Sequence, residues 1–400
     1  MTDMNERILQ EKKQAEVYLD QVRGSMVGGA IGDALGYAIE FISEDSIFSK
    51  YGPEGITEYE LTCGIAQISD DTQMTLFTAN GILVGETRGC MRGIAGPPSA
   101  YVAMAYQDWL KTQTSNFKGE DSQRGYMLEG GISWLLDIPE LYSRRAPGNT
   151  CLSALVDRKD HHRGSVGSHI NNSKGCGGIM RVAPLALRYN PRQNYNVDLK
   201  ILDKEGAEIA AITHGHSLGF MPAAVVTHVI SRILSDGSRM SLEDIVLDAR
   251  DTVAEIFAGD EYIEELTQII DSAVTLSKNK DNDLNNIHKI GEGWVAEETL
   301  GIALYCALKY QDDFSKAIIT AVNHRGDSDS TGAVTGNILG ALVGYDAIED
   351  KWKQNLELID VILEMANDLC FGCLMHEMGD YRDPAWISKY MDMHQYEKKS

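Results

Sequence analysis

Basic residues are scarce in this sequence, and the resulting charge balance excludes several classes of partner. Lys and Arg number 36 against 59 Asp and Glu, which leaves a formal net charge of -23 over 400 residues. Such an excess of carboxylates opposes contact with nucleic-acid phosphates and with anionic lipid. We therefore expect neither a nucleic acid nor a membrane among the partners of this chain.

Long apolar runs and closely spaced cysteines are absent as well. Nowhere do 18 apolar residues follow one another, and the first residues, MTDMNERILQEKKQ, contain no apolar signal core. The seven cysteines are an odd number and too scattered for a disulfide scaffold. Cys370 and Cys373 form a single CxxC pair, for which ordinary buried thiols are favoured over a zinc or redox site. These features predict a soluble protein in the reducing cytoplasm.

Aromatic residues make up only 8% of the chain, and no segment of useful length alternates polar and apolar residues as a strand does. Apolar residues instead recur at helical spacing in two segments near the C-terminal end. The first set is Leu300, Ala303, Leu304, Ala307 and Leu308, and the second is Phe314, Ala317, Ile318 and Ala321. The sequence therefore predicts an all-α protein with core-facing helices.

Glycine recurs every four residues in two distant segments. The first stripe is Gly24, Gly28, Gly32 and Gly36, and the second is Gly332, Gly336, Gly340 and Gly344. Glycine costs about 1 kcal/mol per helical position relative to alanine, so two such stripes need a compensating reason. We expect the two helices to approach each other closely in the core, where only glycine leaves room.

Composition divides the chain into a main domain and two terminal segments. Residues 1–21 are polar and helix-prone, and they are interpreted as an arm for a partner or as a lead-in helix. Residues 22–380 form one predicted domain, because no linker separates the periodic segments. Within it, residues 85–170 are interpreted as inserted loops with short helices. Residues 381–400 are expected to be a C-terminal tail.

Two clusters of hydroxyl and acidic side chains each precede an apolar helical segment. The first contains Ser69, Asp70 and Asp71, and the second contains Asp327, Asp329 and Ser330. Either cluster alone can be a helix cap, because the helix dipole favours carboxylates in the first turn. An EF-hand does not fit the second cluster, because its twelfth position, Ile338, supplies no carboxylate.

Considered together, the two clusters indicate a metal site. If both helix starts meet at one pocket, four carboxylates lie close together and repel one another unless cations are bound. Hard oxygen donors suit Mg²⁺, Mn²⁺ or Ca²⁺ rather than zinc. A pair of divalent ions would relieve the repulsion and could polarise a water molecule.

Five motifs, in this order, resemble the ADP-ribosylglycohydrolase family. They are GDALG at 32–36, SDDTQMT at 69–75, NNSKGCGGIMRVAP at 171–184, ITHGHSLG at 212–219 and GDSDSTG at 326–332. The resemblance extends from about residue 22 to about residue 350. It implies a single compact all-α domain of orthogonally packed helices, with two divalent ions, Mg²⁺ or Mn²⁺, as cofactors.

The resemblance also implies a role for individual residues. The metal ligands would be Ser69, Asp70, Asp71, Asp327, Asp329 and Ser330, and the catalytic residues Asp327, Asp71 and Glu40. Glu40 resembles an acidic residue that closes over the site in some relatives, although an exposed helix-end carboxylate is the structural alternative. Substrate contacts are expected from Asn172, Ser173, Gly175, Cys176, Gly177, Gly178, Met180 and His214.

The implied reaction is removal of ADP-ribose from a modified protein, with ADP-ribose as the product. The motif wording is closer to the ADP-ribosylarginine branch, and Asp327 or Asp71 would take the proton of the attacking water. One alternative is an immunity protein that blocks an ADP-ribosylating toxin through residues 1–21. Others are a serine-linked or O-acetyl-ADP-ribose hydrolase and a two-metal phosphohydrolase that releases AMP.

Overall fold

The computed structural model describes residues 2–117, 131–161, 164–192, 197–236 and 239–391. In these residues the regular structure is helical, and extended segments pair only through isolated bridges. The all-α prediction is confirmed. Short 3₁₀ turns cover Trp134–Asp137, Pro139–Tyr142 and Cys176–Gly178.

The α-helices follow one another along the described chain. They are α1 (Thr2–Tyr37), α2 (Glu44–Tyr51), α3 (Asp70–Arg92), α4 (Pro98–Thr114), α5 (Asn149–His161), α6 (Ala183–Arg188), α7 (Leu199–Ala211), α8 (Ser217–Asp236), α9 (Leu242–Ile256), α10 (Ile263–Ser277), α11 (Asp283–Ile290), α12 (Ala296–Lys309), α13 (Phe314–Val322), α14 (Ser328–Val343), α15 (Asp350–Lys353), α16 (Ile359–Phe371) and α17 (Pro384–Tyr390). One continuous apolar core connects buried residues from Tyr18 to Tyr390.

The glycine stripes pack against each other, as the sequence predicts. Helices α1 and α14 run antiparallel, so that Gly24 meets Gly340, Gly28 meets Gly336 and Gly32 meets Gly332. A Cβ added at any of these glycines would lie closer than 3.0 Å to the partner backbone, a distance that real Cβ atoms essentially never show. Gly344 has a different role, because it caps α14 with a φ of +83°. This close contact fixes the start of α14 relative to the end of α1.

The segment predicted as an arm or lead-in continues without a break into the core. Helix α1 includes residues 2–21, and the Tyr18 side chain is buried. The Asp20 carboxylate accepts a hydrogen bond from the Asp346 N–H at 2.9 Å. The last part of residues 1–21 is therefore integrated into the fold, and Met1 lies outside the described residues.

The region 85–170 contains more helix than the sequence suggests. Helix α3 extends to Arg92, and the 17-residue helix α4 packs along it through the buried Trp109. The interpretation as loops with short helices is therefore wrong for α4. Residues 118–130 and 162–163 of this region lie outside the described part of the chain.

The C-terminal segment is more than a tail up to residue 391. The side chain of Trp386 in α17 is buried and donates a hydrogen bond to the Thr87 hydroxyl at 2.8 Å. Residues 392–400 lie outside the described part of the chain, so the tail prediction stands only for them.

Helix α8 is the single described helix that is long and apolar enough to cross a membrane. Within the protein, 94% of its most apolar window is buried. Other helices cover it on all sides, as expected for the central helix of an α-helical core.

Candidate metal centre and substrate site

Both predicted acidic clusters begin helices. The Ser69 hydroxyl accepts a hydrogen bond from the Asp71 N–H at 3.2 Å and caps α3. Asp327 caps α14, and its Oδ1 accepts from the Ser330 N–H at 3.2 Å. The capping alternative is thus confirmed for Ser69 and Asp327. It does not account for Asp71, because capping leaves its carboxylate free.

A third helix contributes Asp33, which the sequence analysis quoted within GDALG but gave no role. Its carboxylate accepts hydrogen bonds from the Ser69 N–H at 2.9 Å, from the Thr72 N–H at 3.0 Å and from the Thr72 hydroxyl. Burial raises the pKa of Asp33 to about 6. Asp33 therefore holds the start of α3 against α1. The sequence signal for this role of Asp33 was a lone acidic residue within a stripe of small residues.

The two clusters converge. Carboxylate oxygens of Glu40, Asp327 and Asp329 all lie within 4.8 Å of one another, and all three residues are buried. The Asp71 carboxylate is within hydrogen-bonding reach of the Ser330 hydroxyl, which joins the α3 cluster to the α14 cluster. Glu40 is only 8% exposed, so its interpretation as an exposed helix-end carboxylate is wrong.

The electrostatics of this centre favour bound cations. Burial raises the pKa of Glu40 to about 9 and that of Asp70 to about 8, and the charge of Asp327 adds to both rises. Burial and neighbouring carboxylates also raise the pKa of Asp71 and Asp329 well above the usual range. So many buried acids are stable as anions only when positive charge neutralises them.

The donor set fits a hard divalent ion. Glu40 Oε2 and Asp71 Oδ2 are buried oxygens without a hydrogen-bond partner, although buried polar atoms are almost always paired. Together with the hydroxyls of Ser69 and Ser330, the carboxylates provide only oxygen ligands, which Mg²⁺ and Mn²⁺ prefer.

The glycine-rich segment, residues 171–180, lies directly against the second cluster. Its 3₁₀ turn begins at Cys176, whose Sγ donates to Asp327 Oδ2 at 2.8 Å. Met180 approaches the same cluster, with its Sδ 3.8 Å from the Ser330 hydroxyl. The Ser173 hydroxyl accepts from the Gly175 N–H at 3.3 Å, whereas Asn172 is exposed. The start of such a turn presents backbone N–H groups, which suit an anionic ligand.

Two of the predicted substrate-contacting glycines have a packing role. A Cβ on Gly177 would lie 2.8 Å from the Cys151 Sγ, and one on Gly178 would lie 2.9 Å from the Ala210 Cβ. Because they lack a side chain, these glycines let the turn pack closely against the interior. Their side of the turn faces the core, so only their backbone N–H groups remain for a ligand.

The His214 ring packs against the 3₁₀ turn. Its orientation depends on Arg181, to which the sequence analysis gave no role. Arg181 is fully buried and donates to the Thr213 hydroxyl at 2.6 Å, which in turn contacts His214 Nδ1 at 2.8 Å. Burial lowers the pKa of His214 to about 3, so the ring is neutral, and its Nε2 lies beside Gly175 and Gly177.

An open groove of about 660 Å³ adjoins the acidic centre between α4 and α5. Thr150 lines it and lies 3.4 Å from the Ser173 hydroxyl, measured between the two oxygens. Next to it, the Gly148 N–H donates to Asp70 Oδ2 at 3.3 Å. Through these two contacts, one end of the groove lies near the acidic centre and the glycine-rich segment.

Comparison with known proteins agrees with this arrangement. The model of the ADP-ribosylglycohydrolase family matches residues 14–380. The chain is 24% identical over 352 residues to ADP-ribosyl-dinitrogen reductase glycohydrolase of Rhodospirillum rubrum. This match covers 85% of this chain and 91% of that protein. It is 25% identical over 358 residues to ADP-ribosylarginine hydrolase Tri1 of Serratia proteamaculans, covering 88% of this chain and 80% of that protein.

Two further similarities complete the comparison. Human ADP-ribosylhydrolase ARH3 is 25% identical over 210 residues, which is 46% of this chain and 54% of that protein. A solved structure described as an ADP-ribosylglycohydrolase-related protein complex shares the fold, with a TM-score of 0.56 at 22% identity over 89% of this chain and 98% of that chain. The chain therefore belongs to the ADP-ribosylglycohydrolase family, whose members hydrolyse ADP-ribose from modified substrates.

Proposed function

We propose that this chain hydrolyses the N-glycosidic bond between ADP-ribose and an arginine side chain of a modified protein, in a reaction that depends on two Mg²⁺ or Mn²⁺ ions. The observation that carries the proposal is the convergence of the α3 and α14 acidic clusters at one buried point beside the glycine-rich turn.

The residues that would hold the ions come from both clusters. They are Ser69, Asp70, Asp71, Asp327, Asp329 and Ser330, with Glu40 at the edge of the centre. When bound, divalent ions supply positive charge that polarises substrate oxygens and lowers the pKa of water. The chain itself supplies a buried pocket that excludes bulk water around these carboxylates.

Of the two candidate bases, Asp71 is favoured. Both oxygens of Asp327 accept hydrogen bonds, from the Ser330 N–H and from the Cys176 thiol. Asp71 Oδ2 has no such partner and is free to accept the proton of an attacking water. Asp327 would then hold the neighbouring turn in place through Cys176.

The nucleotide part of the substrate fits the open groove. Its volume of about 660 Å³ lies within the usual range for small-molecule sites. The start of the 3₁₀ turn would donate backbone N–H groups to the diphosphate, and the neutral His214 ring lies beside that turn. The distal ribose would then lie at the acidic centre, with the scissile bond next to Asp71.

The arginine linkage is favoured by the wording of the NNSKGCG and GDSDSTG motifs and by the similarity to the ADP-ribosylarginine hydrolase of Serratia. Hydrolysis of a serine-linked or O-acetyl-ADP-ribose substrate is the nearest alternative. Among the described residues, no feature favours the toxin-blocking alternative for residues 1–21. Because Tyr18 belongs to the core, a truncation that tests the arm should end before it.

A product analysis tests the proposal. The protein is incubated with arginine-, serine- and cysteine-linked ADP-ribosyl peptides in Mg²⁺, in Mn²⁺ or in excess EDTA, and the products are identified by mass spectrometry. We expect ADP-ribose from the arginine-linked peptide only when a metal is present. Release of AMP, or full activity in EDTA, would contradict the proposal.

Two substitutions localise the activity. Asp71→Asn and Asp327→Asn should each lower kcat by about 100-fold or more, because each removes a carboxylate at the reacting centre. Asp312→Asn, at an exposed carboxylate away from the site, is the matched control. Circular dichroism checks that the fold is retained in all three variants.

A further inference from the structure

Two aromatic side chains stand exposed at the rim of the acidic centre. Phe41 is 72% exposed and Trp294 is 41% exposed. Their rings face each other with centroids 6.3 Å apart and an interplanar angle of 25°. Single exposed apolar residues are common, but two facing rings from distant segments form a specific surface feature.

Both rings are tied to the acidic centre by their neighbours in the chain. Phe41 directly follows Glu40, whose carboxylate belongs to the centre. Trp294 follows Gly293, where an added Cβ would lie 3.3 Å from the Asp327 carbonyl oxygen. The pair therefore flanks Asp327 on the side where its N–H donates to the Glu292 carbonyl at 2.9 Å.

The loop that carries Trp294 is held firmly. The Glu298 carboxylate accepts hydrogen bonds from the N–H groups of Glu292 at 2.9 Å and Gly293 at 3.1 Å. The Thr299 hydroxyl donates to the Gly293 carbonyl at 2.7 Å. Gly293 has a φ of +80°, a backbone conformation that would be strained if this residue carried a side chain. The loop that carries Trp294 is thus held in place, and Phe41 is the more exposed ring of the pair.

The geometry points to this aromatic pair as the recognition site for the guanidinium of an ADP-ribosylated arginine, an inference that rests on the proposed function. A flat group between two rings needs about 7 Å between the ring planes, which is twice a van der Waals contact. The ring centroids are 6.3 Å apart and the rings are tilted by 25°, so Phe41 has to turn away from Trp294 before a planar cation can enter between them.

Charge and space support the same occupant. Aromatic faces attract cations, and the carboxylates of Glu40 and Asp327 belong to the adjoining acidic centre. On the same rim, the Arg325 guanidinium already pairs with the Glu292 carboxylate at 2.9 Å, so this surface accommodates that group. The large groove lies on the Asp70 side and takes the nucleotide, which leaves the aromatic rim for the side chain that departs.

Steady-state kinetics on the full chain with its metal ions test this assignment. Phe41→Ala and Trp294→Ala are compared with wild type on the arginine-linked peptide, and Phe371→Ala, which removes an exposed ring at the end of α16, is the control. We expect each rim substitution to raise KM about 10-fold while kcat changes less than about 3-fold, because cation–aromatic contacts act in binding. The Kd of free ADP-ribose, measured by calorimetry, should not change.

Each contrary outcome identifies what fails. An unchanged KM in both variants, with wild type active on arginine linkages, overturns the aromatic assignment alone. A loss of ADP-ribose affinity as large as the rise in KM assigns the rings to the nucleotide and overturns it as well. If wild type releases no ADP-ribose from the arginine-linked peptide, the proposed function fails and this assignment fails with it.

Discussion

At the scale of single residues, buried polar groups fix the geometry of the substrate turn. Arg181 donates to the Thr213 hydroxyl, this hydroxyl contacts His214 Nδ1, and His214 lies beside the glycines of the turn. The Arg181 guanidinium also stacks on the Tyr106 ring at 4.3 Å. This chain of contacts connects the interior of α6, α7 and α4 to a surface that binds substrate under our proposal.

Substitution of Thr213 tests the chain of contacts. Thr213→Val keeps the shape but removes the hydroxyl, so that Arg181 and His214 each lose a partner in the interior. We expect the free energy of unfolding in urea to fall by about 2 kcal/mol. Thr275→Val, on the exposed face of α10, is the control and should change it little. Equal stability of the Thr213 variant and wild type would contradict the described hydrogen bonds.

The lowered pKa of His214 predicts a dependence of stability on pH. The folded state keeps this ring neutral down to a pKa of about 3, whereas the unfolded chain binds a proton near pH 6.5. Protonation of the unfolded state therefore destabilises the fold as pH falls from 6.5 towards 3. We expect a contribution of about 1.4 kcal/mol per pH unit in that window.

The variant His214→Gln isolates this contribution. The difference between its urea unfolding free energy and that of wild type, measured at several pH values between 4 and 7, should shrink by that amount per unit as pH falls. A difference that stays constant with pH would mean that His214 titrates normally in the folded protein.

At the scale of helices, the position of the site depends on the close packing of α1 against α14. Gly336→Ala would place a Cβ against the backbone of Gly28, where nothing flexible can move aside. We expect a loss of about 3 kcal/mol or more in the free energy of unfolding. The effect would be read from thermal and urea unfolding curves.

Gly89→Ala is the matched control, because it also lies within a helix. The nearest atom to its added Cβ is the Ala95 Cβ at 3.4 Å, an ordinary contact. This variant should be as stable as wild type or more stable by up to about 1 kcal/mol, from the better helix propensity of alanine. Equal effects of the two substitutions would show that the glycine stripes do not pack as described.

The helices also show what sequence patterns can and cannot predict. The stripes at Gly24 and Gly332 and the acidic helix starts at Asp70 and Asp327 follow local rules of spacing and capping, and the structure has them where expected. Helix α4 escaped prediction because Asp108 and Gln113 are buried among its apolar residues and interrupt the apolar period. Tertiary contacts provide partners for these side chains: Asp108 accepts from the Ser133 N–H, and the Gln113 Nε2 donates to Gln73 Oε1.

The same limit applies within the site. Motif resemblance indicated Asp71, Asp327 and Glu40, because the family keeps those residue types at fixed places in its motifs. Asp33 and Arg181 lie inside the motifs of the resemblance but had no predicted role, since their partners, Thr72 and Thr213, come from other segments of the chain. Only the packed structure shows that these two residues hold the elements that carry the site.

At the scale of the whole molecule, the fold brings two distant acidic segments to one buried point. Helix α1 organises this arrangement, because its stripe holds α14, its Asp33 holds the start of α3, and Glu40 follows its end. In a protein with a formal net charge of -23, this concentration of buried carboxylates suits bound cations, which would neutralise it. The remaining helices enclose these three and shape the groove beside them.

Manganese binding tests the central claim most directly. Metal-free protein is titrated with Mn²⁺, and free Mn²⁺ is counted by electron paramagnetic resonance for wild type, Asp71→Asn, Asp327→Asn and the control Asp312→Asn. We predict two bound ions per chain in wild type and in the control, with weaker binding in both site variants, because the α3 and α14 clusters share the ions. Binding that survives either site substitution unchanged, or that is absent from wild type, would contradict the account.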